Sequence, residues 1–349
     1  MKINYYKVKL KKRFPLAISR GVRYDSENLF IRYEKDGIIG WGESAPGDTE
    51  GASTPEEVQK ELERFVATGI EGESLQDLYD RSKELNIPPC AYAAIDIALW
   101  DWTAKKAGLP LYQILGFQRP HVPTSVTIGI NTPDVIKKRI PLLLDGTTVK
   151  SLKIKLGSPE GLSADKIMYE QVVESTKDYN VKIRVDANGG WNVKDAKYMM
   201  QWLAERRVDY IEQPLKEGEE NELEKIYKDR PLPIYLDESC RFSENIPKFA
   251  NHVDGVNMKL MKCGGITEAL RIISTAKAHG LKTMIGCMSE SSVSIAAAAS
   301  LTGVIDHIDL DSHYNLEPDP SSGAPMIDGI TLPADIPGHG AELKKEFYA

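Results

Sequence analysis

Apolar and polar residues alternate between Tyr5 and Leu10 and again between Leu29 and Tyr33, and a turn at Lys35–Gly37 leads into a third such stretch at Ile38–Trp41. Period-two alternation of this kind predicts a small antiparallel sheet. From Thr54 the period lengthens: Thr-Pro-Glu-Glu supplies an N-cap, a first-turn proline and acidic residues, and helical spacing continues through Ala91–Ala107. This strand-then-helix block predicts an α+β unit over residues 1–118.

From about Thr124 short β-branched runs alternate with amphipathic helices. Strands are predicted at Ser125–Ile130, Ser151–Leu156, Lys182–Val185, Tyr210–Glu212, Ile234–Asp237, Gly255–Lys259, Lys282–Ile285 and His307–Leu310. They recur roughly every 22–30 residues, the length of one βα unit, which favours a closed parallel barrel over an open sheet across residues 119–321. Among the helices, Ser163–Tyr179 is predicted to start at a serine cap and Ile266–His279 to end at Gly280. The tail, residues 322–349, is rich in Pro and Gly and is predicted to pack back on the N-terminal unit.

Composition narrows the function classes. The 349 residues are 42% hydrophobic and 27% charged with a net charge of −7, so a large core is affordable and a basic footprint for nucleic acid is missing. Lys11, Lys12 and Arg13 read as a solvated strand edge. No apolar run reaches the ~18 residues of a spanning helix, so no membrane partner is expected. Cys90, Cys240, Cys263 and Cys287 form neither a disulfide framework nor a metal pattern, which places the chain in a reducing cytoplasm with cysteines as packing material. The six histidines lack ligand spacing, and Trp191, Met199, Met200, Trp202 and Ala296–Ala299 read as helix–barrel packing. Gly264-Gly265 opens a helix whose N-terminus can hold an anion.

In a barrel the working residues stand at the C-terminal ends of the strands. The third, fourth and fifth predicted strands end in Asp186, Glu212 and Asp237. Three converging carboxylates need a counter-charge, and an oxygen-only donor set fits Mg2+ better than Zn2+. The second strand ends in Lys153-Ile154-Lys155, whose spacing puts both ammonium groups on one face, and the sixth ends in Lys259. Strands two and six face each other across a ring of eight, so Lys155 and Lys259 flank a substrate from opposite sides. A cation together with Lys153 lowers the proton affinity of Lys155, and a Mg2+-held carboxylate loses its α-proton more readily. One lysine removing and the other returning a proton inverts that carbon.

These residues resemble the enolase superfamily, in the subgroup around muconate-lactonising enzymes and dipeptide epimerases. The resemblance rests on Lys153/Lys155, the Asp186/Glu212/Asp237 series, Lys259 followed by Gly264-Gly265, and Trp41-Gly42-Glu43, Ala98–Asp101 and Leu115-Gly116 in the first unit. It implies an α/β fold: a modified TIM barrel, (β/α)7β, under an α+β capping domain completed by the tail. In dipeptide epimerases an Asp-x-Asp like Asp309/Asp311 receives the substrate's α-ammonium, and Thr127 and the run Cys287, Met288, Ser289, Glu290 match places that contact the dipeptide backbone. The implied activity is dipeptide epimerisation at the α-carbon of the C-terminal residue.

One departure concerns the mobile loop Ile18–Arg23. Epimerases of Ala-Glu carry an arginine where this chain has Ala17 or Ile18. Arg20 or Arg23 can substitute, whereas Asp48 and Glu50 favour a cationic side chain; both options stay open. Racemisation of N-acylamino acids, o-succinylbenzoate synthesis and muconate cycloisomerisation use the same scaffold, but their substrates lack the ammonium that Asp309 and Asp311 would meet. A non-catalytic binding protein of this fold would not require the lysines and acids together. A small-molecule dipeptide is the expected partner; a homo-oligomer is compatible with the sequence and not determined by it.

Overall fold

Strands β1 (Lys2–Ile18), β2 (Gly21–Lys35) and β3 (Ile38–Ser44) form an antiparallel sheet in that order. In this computed structural model, which describes residues 1–348, β1 and β2 run well past the alternation that announces them. Ala17 pairs with Val22 and Ile18 with Gly21, so the stretch expected as a loop is the closed end of a long hairpin. Gly21, at φ 137°, permits the turn. Helix Pro89–Ala107 covers the sheet at close range. A Cβ on Gly40 would lie 2.1 Å from Ala98 O, and one on Gly42 would lie 2.0 Å from Ala94 O, so only glycine allows this contact. Thr54 caps helix Pro55–Val66, accepting from Glu57 N at 3.2 Å.

Eight parallel strands follow: β4 (Val126–Ile128), β5 (Ser151–Lys155), β6 (Lys182–Asp186), β7 (Val208–Glu212), β8 (Ile234–Leu236), β9 (Gly255–Met258), β10 (Lys282–Ile285) and β11 (His307–Ile308). They pair in chain order, and a parallel bridge from Thr124 to Ile308 closes the ring. The predicted strands are all present, several trimmed at their C-terminal ends, where ladder pairing gives way to loops that carry polar side chains. The barrel interior holds Tyr210, Tyr235 and Met284, with the two tyrosine rings 4.6 Å apart and Arg184 over Tyr210, so it is packed rather than open.

Two helix starts differ in detail from expectation. The predicted helix at Ser163 begins one residue earlier, at Leu162, and its N-cap is Gly161 at φ 90° without a side-chain cap. Helix Ile266–Ala278 does start at Gly264-Gly265, but the anion at its N-terminus belongs to the protein. Asp96 accepts from Thr267 N at 3.1 Å and from Thr267 Oγ1 at 2.5 Å. The tail returns to the first sheet: His339 Nε2 lies 2.8 Å from Trp41 O, and the Tyr348 ring stands 5.3 Å from that of Trp41. Helix Ser292–Ala299 is buried along its whole length, and all four cysteines are free thiols. Among the described residues no helix is long and apolar enough to cross a membrane.

Candidate active site

Register alone brings the first site residues together. Lys155 pairs with Asp186 across β5 and β6, and Asp186 with Glu212 across β6 and β7. Residues paired in a ladder share a level and a face, so their side chains enter the barrel mouth side by side. Asp237 joins them just beyond β8, where Gln213 Oε1 accepts from its backbone N–H at 2.9 Å. The three carboxylates are fully buried, with oxygens within 4.8 Å of one another.

Four lysines surround them. Lys153 Nζ lies 2.8 Å from Asp309 Oδ2, 2.8 Å from Glu212 Oε2 and 3.2 Å from Asp186 Oδ2. Lys155 reaches Asp186 at 2.5 Å, and Lys259 reaches Asp237 at 2.6 Å from the opposite side of the ring. The fourth, Lys262, escaped the sequence reading; it donates to Asp237 Oδ1 and to Asn257 O, each at 2.8 Å. It lies in a short helix, Leu260–Cys263, where a lysine three residues after Lys259 looks like a surface charge, and only the turn of the chain carries it inward. Asn257, also unforeseen, donates to Glu212 Oε1 at 2.8 Å.

The charges sort one another. Burial opposes ionisation of Asp186, yet Lys155 and Lys153 hold its carboxyl well below the usual carboxylate range. Asp237 is likewise held low by Lys259 and Lys262 against the effect of burial. Glu212 goes the other way: burial, and then Asp186, push its carboxyl up to about 8. Burial would lower the ammonium groups of Lys153 and Lys259, but neighbouring carboxylates, Asp309 and Asp237 first among them, raise both.

The acceptor oxygens outnumber their donors. Glu238 Oε2, Asn188 Oδ1 and Asp309 Oδ1 are buried without a hydrogen bond among the described residues. Orphaned buried acceptors are costly, and so many around one mouth fit a site that takes up positive charge. For the triad, with oxygen donors only, that charge is a hard divalent cation.

Asp309 and Asp311 follow β11, and both line a cavity whose inner wall is Lys153, Lys155 and Lys259. Asp311 accepts from Thr127 N at 2.7 Å, and burial together with Asp309 pushes its carboxyl up to about 7. Thr127, Met288 and Ser289 line the same cavity. Glu290 does not: its carboxylate turns back onto Met288 N and Ser294 Oγ, at 2.5 and 2.6 Å. A second cavity shares Lys155, Lys259 and Met288 with the first and extends to the hairpin tip, where Arg20 and Arg23 line it with Glu50. Arg20 is already engaged, donating to Glu238 Oε1 at 2.7 Å and to Asn188 O at 3.0 Å. Glu50 is buried and Asp48 is exposed outside both cavities.

One basic residue changes place. Lys11 and Arg13 are exposed as expected for a strand edge, but Lys12 between them is 9% exposed and lines the first cavity. Alternation along β1 turns every second side chain inward, and the barrel mouth lies on that side.

Comparison with known proteins agrees with this geometry. Residues 1–116 match the family model of the mandelate racemase / muconate lactonizing enzyme N-terminal domain, and residues 141–347 match that of the enolase C-terminal domain-like family. A hydrophobic dipeptide epimerase of a Flavobacteria bacterium (strain MS024-2A) is 76% identical over 349 residues, all of both chains. One from Roseobacter litoralis is 58% identical over 98% of this chain and 99% of its own. The crystal structure of the Enterococcus faecalis V583 dipeptide epimerase, complexed with Mg and L-Leu-L-Tyr, superimposes with a TM-score of 0.89 at 32% identity, covering 97% of this chain and 98% of the other.

Proposed function

The chain belongs to the mandelate racemase / muconate lactonizing enzyme family of the enolase superfamily, and on that premise we propose that it is a Mg2+-dependent dipeptide epimerase inverting the α-carbon of the C-terminal residue. The observation that carries this reading is a single cavity lined by Lys155 and Lys259, from opposite sides of the ring, together with Asp309 and Asp311. The names of the 76% and 58% identical relatives support hydrophobic dipeptides as the substrate class.

Asp309 and Asp311 receive the dipeptide's α-ammonium: Asp309 Oδ1 has no other donor, and an acid pair holds a cation better than a neutral group. N-acylamino acids and succinylbenzoate precursors bring no such cation and would leave that acceptor unpaired. Thr127 holds Asp311 by its backbone N–H and fixes the direction in which the amine is met. Asp186, Glu212 and Asp237 would hold Mg2+, which supplies positive charge against the negative charge that develops on the substrate carboxylate. Lys155 and Lys259 do the proton work. The amine form of one takes the α-proton, the C–H pair passes into the carboxylate, and the ammonium form of the other delivers a proton to the opposite face. Lys153, paired with Glu212 and Asp309, stays charged and positions both.

The test is incubation of the Mg2+-loaded protein with L,L-dipeptides in D2O. Deuterium enters the α-carbon of the C-terminal residue, read by mass spectrometry, and Lys155→Ala and Lys259→Ala each lose about 10²–10⁴-fold of the inversion rate. Turnover of an N-acylamino acid with no uptake into any dipeptide would sink the assignment.

A further inference from the structure

The first cavity does not end at the acid pair. Beyond Asp309 and Asp311 it continues to Lys12, on β1, and Arg139, on helix Pro133–Leu144. Both cations are buried, 9% and 6% exposed, and Lys12 Nζ and Arg139 Nε have no hydrogen-bond partner among the described residues. The Arg139 guanidinium stacks 4.4 Å over the Phe14 ring, which holds it in place without satisfying its donors. Burial and the proximity of Arg23 bring the Lys12 ammonium down to about 8, against a weaker upward pull from Asp25. Two buried, unpaired donors from separate elements that line one cavity mark a place for an oxygen acceptor.

We infer that this end of the cavity takes the side chain of the dipeptide's N-terminal residue and prefers one ending in an oxygen acceptor, a carboxylate or carboxamide, which Lys12 and Arg139 receive. The inference rests on the dipeptide reading of the site. With the ammonium on Asp309 and Asp311, and the C-terminal α-carbon between Lys155 and Lys259, the N-terminal side chain is the group left to extend toward Lys12. An apolar side chain there would leave both donors buried and unpaired. A site built to hydrogen-bond rejects the analogue lacking the partner far more strongly than an apolar pocket rejects a missing methylene. The apolar preference named for the relatives then applies here to the C-terminal residue.

The experiment compares L-Met-L-Leu, L-Gln-L-Leu and L-Glu-L-Leu, whose N-terminal side chains are of similar length, on the full-length Mg2+-loaded protein. Binding is measured by calorimetry and α-deuterium uptake by mass spectrometry. The Gln or Glu dipeptide binds about tenfold or more tighter than the Met dipeptide, and Lys12→Met, which keeps the aliphatic stem, brings that ratio toward one. Glu above Gln makes charge the criterion; equality makes it the acceptor alone. A Met dipeptide bound as tightly as both others would overturn the inference, and so would a preference unchanged in both Lys12→Met and Arg139→Gln. Absence of deuterium uptake from all three would defeat the epimerase reading instead, while the calorimetric order would still decide this one.

Discussion

Lys153 touches three carboxylates at once and is 1% exposed, which makes it the residue on which the others lean. Removing one partner of a buried ionic network leaves uncompensated charge behind, at a cost of about 3–5 kcal/mol. Lys153→Met is therefore expected to lower the unfolding free energy of the metal-free protein by about that amount, measured by urea titration. At Asp309 the effect falls on the ligand. Asp309→Asn keeps the shape but removes the charge that meets an ammonium, and calorimetry should show dipeptide binding weakened by about 10-fold or more, given ~1.5–3 kcal/mol for a hydrogen bond to a charged group.

At the scale of elements, the start of helix Ile266–Ala278 joins the two parts of the molecule. Gly265 has φ 107°, and a Cβ there would lie 2.4 Å from Asp96 Oδ2, the carboxylate that caps the helix. Gly280, just past the other end, has φ 71° and nothing within 4 Å of its Cβ. Gly280→Ala should thus cost only about 1 kcal/mol, from conformation alone, while Gly265→Ala adds a clash and loss of the cap, ~2 kcal/mol or more in total. Urea unfolding of the two variants separates these contributions; equal losses would mean that Asp96 moves aside freely. The β1–β2 hairpin makes a similar close approach. Ile130 N donates to Ala17 O at 2.8 Å, and a Cβ on Gly129 would lie 2.8 Å from Ala17 N, so backbone contact sets the hairpin tip over the barrel mouth.

Across the whole molecule the seam between the first sheet and the barrel contains two carboxylates, Glu43 and Asp96, both fully buried. Glu43 accepts from Asn28 Nδ2 at 2.7 Å, Ser291 Oγ at 2.7 Å and Ser294 N at 3.1 Å, tying β3 to the loop that carries Met288 and Ser289. Burial raises each carboxyl to about 7, although these donors act against it. A folded-state value above the unfolded one means that folding retains a proton. Stability is then fully present below the ordinary carboxylate range and is lost as pH rises toward 7, by about 1.4 kcal/mol per unit for each group. The unfolding free energy of the metal-free protein should fall between pH 5 and pH 7, and Glu43→Gln should flatten that slope by about one proton. An unchanged slope would mean that Glu43 is ionised throughout.

Local pattern determined a good deal of this protein. Alternation and βα spacing placed all eight barrel strands, because each strand's burial is written in its own few residues, and strand-end position singled out the acids and lysines that gather at the mouth. Thr54 and Gly280 were legible for the same reason: a cap depends on its neighbours in the chain. Tertiary structure decided what depends on residues far apart. Lys12 lies on a strand edge by sequence and lines the same cavity as Asp311 in space; Lys262 looks like a surface charge by spacing and meets Asp237 in the barrel; Gly265 receives its anion from Asp96, 169 positions earlier by numbering (265 − 96). Backbone periodicity follows from local sterics, whereas the partner of a buried charge is set by which strands and helices are brought together, and no spacing along the chain encodes that distance.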